Sequence, residues 1–372
     1  MEHFTLPHIK NHKHSKLLSY IEDTPELMVS RKNDHIRICQ TEKIESDGTP
    51  FAKFRFIPEA LPEIDFDEIN LEQSFLNNTF SMPVLVTGMT GGIEKGQEIN
   101  EAIALAAEKY NIPMGLGSQK MMIKDPKFKR LFDVRKIAPK LFVIGNIGAV
   151  SLNYGITLDD IQRLVDDLEL GAFAIHLNAL QECIQPEGER NFFQLLKKIE
   201  NIAKNLSVPL IVKEVGSGIS AETFKKLVSV GVSAVDVGGK GGTSWSAIEG
   251  LRADREGQRL GDLFKDWGLT TDDSLLSCSG LKNNLQYNVP LIATGGIRNG
   301  LQVAKAVAVG ATMVGVGLPL FKAAVSPQAG ETPLESVERE LSFFKKSLSI
   351  TMFCAGAQNL SQLSSRIVQE VP

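Results

Sequence analysis

The feature that most constrains this fold is a series of eight short apolar segments, most of which run into glycine or a polar residue at their C-terminal ends. Uninterrupted apolar runs of this length are typical of β-strands that are buried on both faces. The series predicts an α/β fold, a (β/α)8 TIM barrel, whose chemistry lies at the C-terminal ends of the strands. The predicted strands are residues 84–88, 113–118, 141–146, 172–178, 210–214, 234–239, 291–296 and 313–317.

The segments between the strands carry helix signals. Asp159, Ser220 and Asn299 are expected N-terminal caps, and a long amphipathic segment covers residues 334–355. About fifty residues separate the sixth and seventh strands, far more than a usual connection, so we expect an insertion that acts as a lid or an oligomer contact. The predicted helices are residues 97–110, 159–168, 220–230 and 299–309.

Length and composition fit one domain with extensions. The chain has 372 residues, of which 43% are hydrophobic, enough for one large barrel core. Residues 1–30 are expected to form a polar N-terminal leader and residues 31–372 a single TIM-barrel domain, with the barrel proper at about 80–355. The alternating residues 53–56 predict a strand before the barrel.

Charge and cysteine content exclude several classes of protein. A net charge of −4 argues against binding to nucleic acid through a broadly basic surface. The four cysteines are far apart in sequence, which argues against a disulfide framework or a zinc site and fits a reducing compartment. No apolar run has the length of a membrane span, and no apolar signal core begins the chain, so we expect a cytoplasmic protein without a membrane partner.

Glycine-containing loops follow the last two strands. Gly295 and Gly296 end the seventh strand shortly before Arg298, and Gly317 and Leu318 end the eighth. Barrels often bind phosphate here through backbone N–H groups and a helix N-terminus, and glycine lets the backbone approach the anion. The alternative is that these glycines only close tight turns.

Lys213 ends the fifth strand inside an otherwise apolar run. Burial of a lysine is costly unless it meets an anion, so Lys213 is predicted to face a cofactor or an intermediate that becomes negative. An internal salt bridge with Glu214 or Asp236 is the alternative.

Polar residues also follow the fourth strand. Strand alternation turns His176 and Asn178 toward the same side, and Gln181 and Glu182 come next. Glu182 is a candidate Mg²⁺ ligand with the help of a substrate phosphate, although a single carboxylate could equally be a solvated loop residue.

Two cationic segments could hold an anionic substrate. Residues 31–35 contain Arg31, Lys32 and His35, a density of cations that suits a diphosphate, with a charged surface turn as the alternative. Residues 118–120 place a hydroxyl, an amide and an ammonium after the second strand.

Taken together, these segments resemble the type 2 isopentenyl-diphosphate isomerases, a flavin-dependent family. The resemblance runs from about residue 31 to 363, and the segment 176–182 is its most specific part. The matching motifs are residues 31–36, 87–92, 117–119, 145–148, 176–182, 212–216, 239–245, 266–268, 295–298 and 351–353.

The resemblance implies FMN, Mg²⁺ and NADPH as reductant, and a 1,3-proton shift that interconverts isopentenyl and dimethylallyl diphosphate. It also implies a tetramer or octamer, with Gln181 and Lys213 as catalytic residues and Glu182 as the metal ligand. The implied substrate contacts are Arg31, Lys32, Ser118, Gln119, Lys120 and Gln181. The implied FMN contacts are Thr87, Gly88, Met89, Thr90, Ser118, Asn146, Lys213, Thr243, Gly295, Gly296, Arg298, Gly317 and Leu318.

Two other functions remain open from the sequence. One is an FMN-dependent oxidoreductase of the hydroxy-acid oxidase type, although no histidine adjoins Arg298 to help bind a carboxylate. The other is a flavin- or phosphate-binding barrel without catalytic activity, against which the polar cluster after the fourth strand argues.

Overall fold

The computed structural model describes residues 24–370, and most of its strands close into one barrel. Strands β4 to β11 are parallel to their neighbours, and β11 pairs with β4 to complete the ring. Each predicted barrel segment overlaps one of these strands, which confirms the predicted fold. The strands are β1 (Phe54–Phe56), β2 (Gln73–Phe75), β3 (Asn78–Phe80), β4 (Val84–Val86), β5 (Met114–Gly115), β6 (Val143–Gly148), β7 (Ala172–Leu177), β8 (Leu210–Glu214), β9 (Ala234–Asp236), β10 (Leu291–Thr294), β11 (Met313–Val316) and β12 (Ile367–Gln369).

Helices follow the barrel strands and surround them. Short 3-10 helices at Phe66–Glu68, Pro126–Leu131, Ala149–Asn153 and Leu360–Ser365 complete the regular structure of the described residues. The α-helices are α1 (Pro25–Thr41), α2 (Glu94–Lys109), α3 (Lys120–Lys124), α4 (Leu158–Leu168), α5 (Ala179–Ile184), α6 (Leu195–Asn205), α7 (Ala221–Ser229), α8 (Trp245–Arg252), α9 (Arg255–Leu263), α10 (Thr271–Asn284), α11 (Gly300–Val309), α12 (Leu318–Val325) and α13 (Pro333–Cys354).

Side-chain caps fix where several helices begin. Ser220 and Asn299 cap α7 and α11, as predicted. The prediction that Asp159 caps α4 is wrong, because Thr157 takes this place and forms a reciprocal capping box with Asp160.

Two apolar layers hold the barrel together. Inside it, residues such as Leu85, Ile144 and Ile211 fill the space between the strands. The β2–β3 hairpin, which the sequence did not reveal, packs Phe75 and Phe80 against this inner layer. Outside the barrel, the strand residues whose side chains point outward pack against the helices. The inner packing closes one end of the barrel and leaves the C-terminal ends of the strands for the site.

Several elements lie outside the βα repeat. Helix α1 begins at Pro25 and passes through residue 30, so the predicted boundary between leader and domain falls inside a helix, and Met28 is buried. Residues 1–23 of the predicted leader lie outside the described residues. Strand β1, predicted at residues 53–56, pairs with β12. The predicted insertion between β9 and β10 contains α8, α9 and α10.

Candidate active site

A cavity opens at the C-terminal ends of the barrel strands, under α1 and α8. Of the predicted site residues, only Gln119 does not line it. Those that do are Arg31, Lys32, Thr87, Gly88, Met89, Thr90, Ser118, Lys120, Asn146, Gln181, Glu182, Lys213, Thr243, Gly295, Gly296, Arg298, Gly317 and Leu318. Residues from both ends of the sequence therefore meet in one place.

One wall of the cavity, which we call the glycine side, consists of Gly295, Gly296, Gly317 and Leu318. Gly295 and Gly296 have φ angles of 122° and 72°, which favour glycine. A Cβ atom on Gly296 would lie 2.2 Å from the carbonyl oxygen of Gly241, so no larger residue fits without moving that loop. Leu318 begins α12, whose N-terminal N–H groups favour an anion. This wall fits a phosphate group such as that of FMN.

Arg298 lies beside the glycine side and carries an ion pair. Its guanidinium contacts the carboxylate of Glu45, which follows α1. The backbone N–H of Arg298 donates to Oε1 of Gln302. These contacts hold the arginine at the cavity, where the sequence predicts a phosphate contact.

Lys213 points from β8 into the cavity and is buried. Its Nζ donates to the backbone carbonyl of Glu214 at 3.0 Å. Burial lowers the pKa of Lys213, and the charges of Asp236 and Glu214 oppose this shift. Among the described residues, no carboxylate oxygen lies within 4 Å of Nζ, so neither expected salt bridge forms. A buried ammonium held only by a carbonyl fits a neighbouring anionic ligand, as the reduced flavin of FMN would be.

His176 and Asn146 form a hydrogen-bonded pair on adjacent strands. Nδ1 of His176 lies 2.8 Å from Oδ1 of Asn146, whose Nδ2 donates to the carbonyl of Leu116. Burial, together with the charges of Lys213, Lys32 and Lys120, lowers the pKa of His176 to about 3. The imidazole is therefore neutral at pH 7, with Nδ1 as the donor to Asn146.

Gln119 lies behind this pair and supports it. Its side chain is fully buried, its Nε2 donates to the carbonyl of Gly117, and its Oε1 accepts from the N–H of Asn146. The expectation that Gln119 contacts substrate is at odds with this position, because both ends of the amide bond to backbone groups. The sequence could not distinguish it from Ser118 and Lys120, which do face the cavity.

Glu182 is on α5 and accepts two hydrogen bonds. Its Oε1 accepts from Nδ2 of Asn178 at 2.8 Å, and its Oε2 accepts from the N–H of Glu189 at 2.6 Å. Burial raises the pKa of Glu182 to about 7. Within residues 24–370, no group of three or more potential metal-ligating side chains surrounds it. A cation would relieve its buried charge, but most ligands would have to come from substrate and water.

The opposite wall of the cavity, which we call the charged side, pairs cations with carboxylates. Nη1 of Arg31 lies 3.1 Å from Oε1 of Glu187, and Nζ of Lys120 lies 2.8 Å from Oε1 of Glu189. The charged side consists of Arg31, Lys120, Glu187 and Glu189, which line the cavity, and of Glu249 and Arg252, which do not line it but contact residues that do. Sequence analysis identified only the first two, because the others lie in a loop and an insertion without a motif.

Glu249 on α8 links the insertion to α1 and α5. Its Oε1 lies 2.9 Å from Nε2 of both His35 and Gln181, and its Oε2 lies 2.5 Å from Nη1 of Arg252. Burial would raise its pKa, but the charge and hydrogen bond of His35, together with Arg252 and Gln181, lower the pKa of Glu249 to about 2. Glu249 is therefore an ionised, fully buried carboxylate beside Gln181.

The insertion also contributes an aromatic residue to the cavity. Trp245, at the start of α8, lines the cavity, and its ring meets that of His35 edge-on with centroids 5.2 Å apart. The first helix of the insertion therefore covers the site together with α1. In contrast, Leu263 and Trp267 further along the insertion are 73% and 60% exposed.

Comparison with known proteins first defines a class. The sequence pattern of the FMN-dependent dehydrogenase family matches residues 178–370. A solved structure of a flavocytochrome b2 mutant with pyruvate bound superposes with a TM-score of 0.61 at 16% identity, over 92% of this chain and 79% of that one. Such an identity shows the fold alone. The fold and the family pattern define an FMN-dependent (β/α)8-barrel protein.

Relatives of higher identity narrow the class. The isopentenyl-diphosphate delta-isomerase of Nostoc sp. (strain PCC 7120) is 43% identical over 90% of this chain and 93% of its own length. The enzyme of that name from Synechococcus sp. (strain ATCC 27144) is 43% identical over 90% and 94%. The chain belongs to the isopentenyl-diphosphate delta-isomerase family. This membership supports the isomerase interpretation over the oxidase alternative.

Within residues 24–370, no helix combines the length and the apolar character that crossing a membrane requires.

Proposed function

We propose that this protein interconverts isopentenyl diphosphate and dimethylallyl diphosphate by a 1,3-proton shift on reduced FMN, with Mg²⁺ bound. What supports this most directly is that one cavity combines the glycine side, the buried Lys213 and the charged side. Gln181 lies between these walls, with both ends of its amide engaged. The arrangement provides for a flavin phosphate, an anionic ring and a second phosphorylated ligand.

The residues present fit FMN. The glycine side would hold the phosphate together with Arg298, and the proposed ring contacts are Thr87, Gly88, Met89, Thr90, Ser118, Asn146, Lys213 and Thr243. When bound in its reduced, anionic form, the flavin supplies an electron-rich surface and a proton-transfer group beside the allylic carbons. Lys213 would balance its negative charge, because no carboxylate oxygen of residues 24–370 lies within 4 Å of its Nζ.

The substrate diphosphate would bind at the charged side. Arg31, Lys32, Ser118 and Lys120 line the cavity there, and Arg31 and Lys120 are already held in place by Glu187 and Glu189. We propose Glu182 as the Mg²⁺ ligand, since a bound cation and diphosphate would compensate its buried charge. These contacts anchor the substrate far from the reacting carbons and supply binding energy for their orientation.

Gln181 is the proposed catalytic amide. Its Nε2 donates to Glu249 and its Oε1 accepts from Asn178, so the orientation of the amide is fixed. It would position or relay a proton at the alkene end of the substrate. Helices α1 and α8 cover this region, with Trp245 and His35 between them, and exclude water from the reacting carbons.

Further properties belong to the same proposal. The family resemblance supports NADPH as the reductant, although the reaction has no net redox change, and a homo-oligomer of four or eight chains. We also propose a cytoplasmic location, a single FMN-binding domain from α1 to the C-terminus, and no nucleic-acid or membrane partner.

An anaerobic assay tests the function. The protein is loaded with FMN, reduced with NADPH and incubated with Mg²⁺ and isopentenyl diphosphate, and dimethylallyl diphosphate is expected to appear. Replacing Gln181 or Lys213 by Ala should reduce turnover strongly, by about 100-fold if each acts in the transition state. Wild-type protein that forms no isomer but oxidises lactate would support the oxidase alternative instead.

A further inference from the structure

Arg252 ends α8 between two buried carboxylates of the charged side. Its Nη1 lies 2.5 Å from Oε2 of Glu249, and its Nη2 lies 2.9 Å from Oε1 of Glu187. The three side chains are 7%, 0% and 3% exposed. A planar guanidinium can serve two carboxylates in different directions, which the compact ammonium of lysine does much less well.

Each of these carboxylates also contacts a proposed site residue. Oε1 of Glu187 accepts from Nη1 of Arg31 on α1, and Oε1 of Glu249 accepts from Nε2 of Gln181 on α5. Arg252 therefore lies at the centre of a chain of contacts that joins the diphosphate end of the cavity to its reacting end. The chain crosses α1, the loop after α5, α8 and α5 itself.

The same residue also helps to hold α1. Oδ2 of Asp34 lies 3.7 Å from Nε of Arg252, and Nε has no hydrogen-bond partner among the described residues. Ion pairs of Arg31, Asp34 and His35 thus all reach Arg252 or its two carboxylates. Helix α1 therefore contacts the barrel rim through this cluster.

We propose that Arg252 is a positioning residue, which sets Arg31 and Gln181 at their working positions through Glu187 and Glu249. The inference rests on the proposed function, because it gives these two residues their roles. Without the guanidinium, Glu187 would compensate Arg31 alone and compete more strongly with a diphosphate. Glu249 would lose the cation on its Oε2 and fix the amide of Gln181 less firmly, because a buried carboxylate that loses one of its partners reorganises its surroundings.

The test compares FMN-loaded wild type with Arg252→Met. Binding of inorganic pyrophosphate with Mg²⁺ is measured by calorimetry, and kcat and KM by the isomerase assay. We expect the pyrophosphate Kd to rise and kcat to fall, each by about tenfold or more, since the substitution removes one cation from each of two buried carboxylates. The Kd for FMN should stay within about twofold, because Arg252 does not line the cavity wall proposed for FMN.

Two further variants keep the test decisive. Arg252→Lys retains the charge and should show smaller shifts of Kd and kcat in the same directions. If Arg252→Met fails to fold, the shifts measured for Arg252→Lys test the inference instead. Arg135→Met makes the same chemical change at an arginine that donates to the backbone carbonyls of Leu141, before β6, and Glu169, before β7, and should leave Kd and kcat unchanged.

Wild-type pyrophosphate affinity and turnover in both Arg252 variants would overturn the inference. So would parallel loss of FMN binding, which would indicate a general structural role. A wild-type enzyme that forms no dimethylallyl diphosphate would instead overturn the proposed function, and the pyrophosphate measurements would still report on Arg252.

Discussion

The glycine side and the charged side of the cavity are built in different ways. The glycine side comes from two pairs of adjacent residues, one after β10 and one after β11. The charged side joins Arg31, Glu187 and Arg252, which are 156 and 65 positions apart along the chain. Local backbone geometry determines the glycine side, whereas the charged side forms only when distant segments of the chain come together.

This difference decides how each side responds to substitution. Backbone N–H groups and glycine φ angles have no charge to remove, so the glycine side is sensitive to added volume. The charged side consists of buried ion pairs, in which removing one partner leaves the other uncompensated. Substitutions chosen by these two rules should separate binding of FMN from binding of diphosphate.

The largest effect is expected at Lys213, beside the glycine side. Lys213→Met removes the ammonium that would balance the reduced flavin, and should lower turnover by about 100-fold or more. Lys305→Met is the matched control, because Lys305 also donates to a backbone carbonyl, that of Phe51, but does not line the cavity. Equal loss of turnover in the two variants would show that Lys213 acts only through stability.

A smaller effect is expected from volume added to the glycine side. Gly296→Ala places a Cβ 2.2 Å from the carbonyl oxygen of Gly241, and should weaken FMN binding by about tenfold. Gly48→Ala is the control, because Gly48 has a φ of 98° but nothing within 4 Å of an added Cβ. Fluorescence titration of FMN measures both. If the two variants bind FMN equally well, the phosphate does not lie at Gly296.

These rules also explain how much could be predicted from the sequence. All eight barrel strands and the glycine side follow from short-range patterns, since an apolar run and its terminal glycine lie within about six residues. Arg31 and Lys120 stood out as cations near a motif. Glu187, Glu249 and Arg252 did not, because an isolated charge in a loop or a helix looks solvated until its distant partner is known.

The other differences between expectation and structure have the same origin. The family resemblance implies that Gln119 contacts substrate, and only the folded backbone of Asn146 shows what its amide bonds. The β2–β3 hairpin was missed because its strands have only three residues each. The predicted boundary at residue 30 lies within α1, since the cap of this helix, Thr24, comes earlier in a polar segment.

The smallest effect concerns His176, which lies between the two sides. Its pKa falls from 6.5 to about 3 on folding, so the unfolded chain takes up the proton first as the pH drops. The stability that the neutral imidazole contributes is complete above about pH 6.5. Below that pH the free energy of unfolding declines, by up to about 1.4 kcal/mol per pH unit. Between pH 7.5 and 5.5 the wild type should lose about 1 kcal/mol more than His176→Asn in urea unfolding. Parallel pH profiles would contradict a buried neutral imidazole.

The most direct test of the two-sided cavity is a crossed titration of FMN and Mg²⁺-pyrophosphate against Lys213→Met and Arg31→Met. The account predicts that Lys213→Met loses affinity for FMN and keeps its affinity for pyrophosphate, and that Arg31→Met does the reverse. If either variant lost both ligands, or lost the ligand assigned to the other, the division of the cavity into a cofactor wall and a diphosphate wall would be wrong.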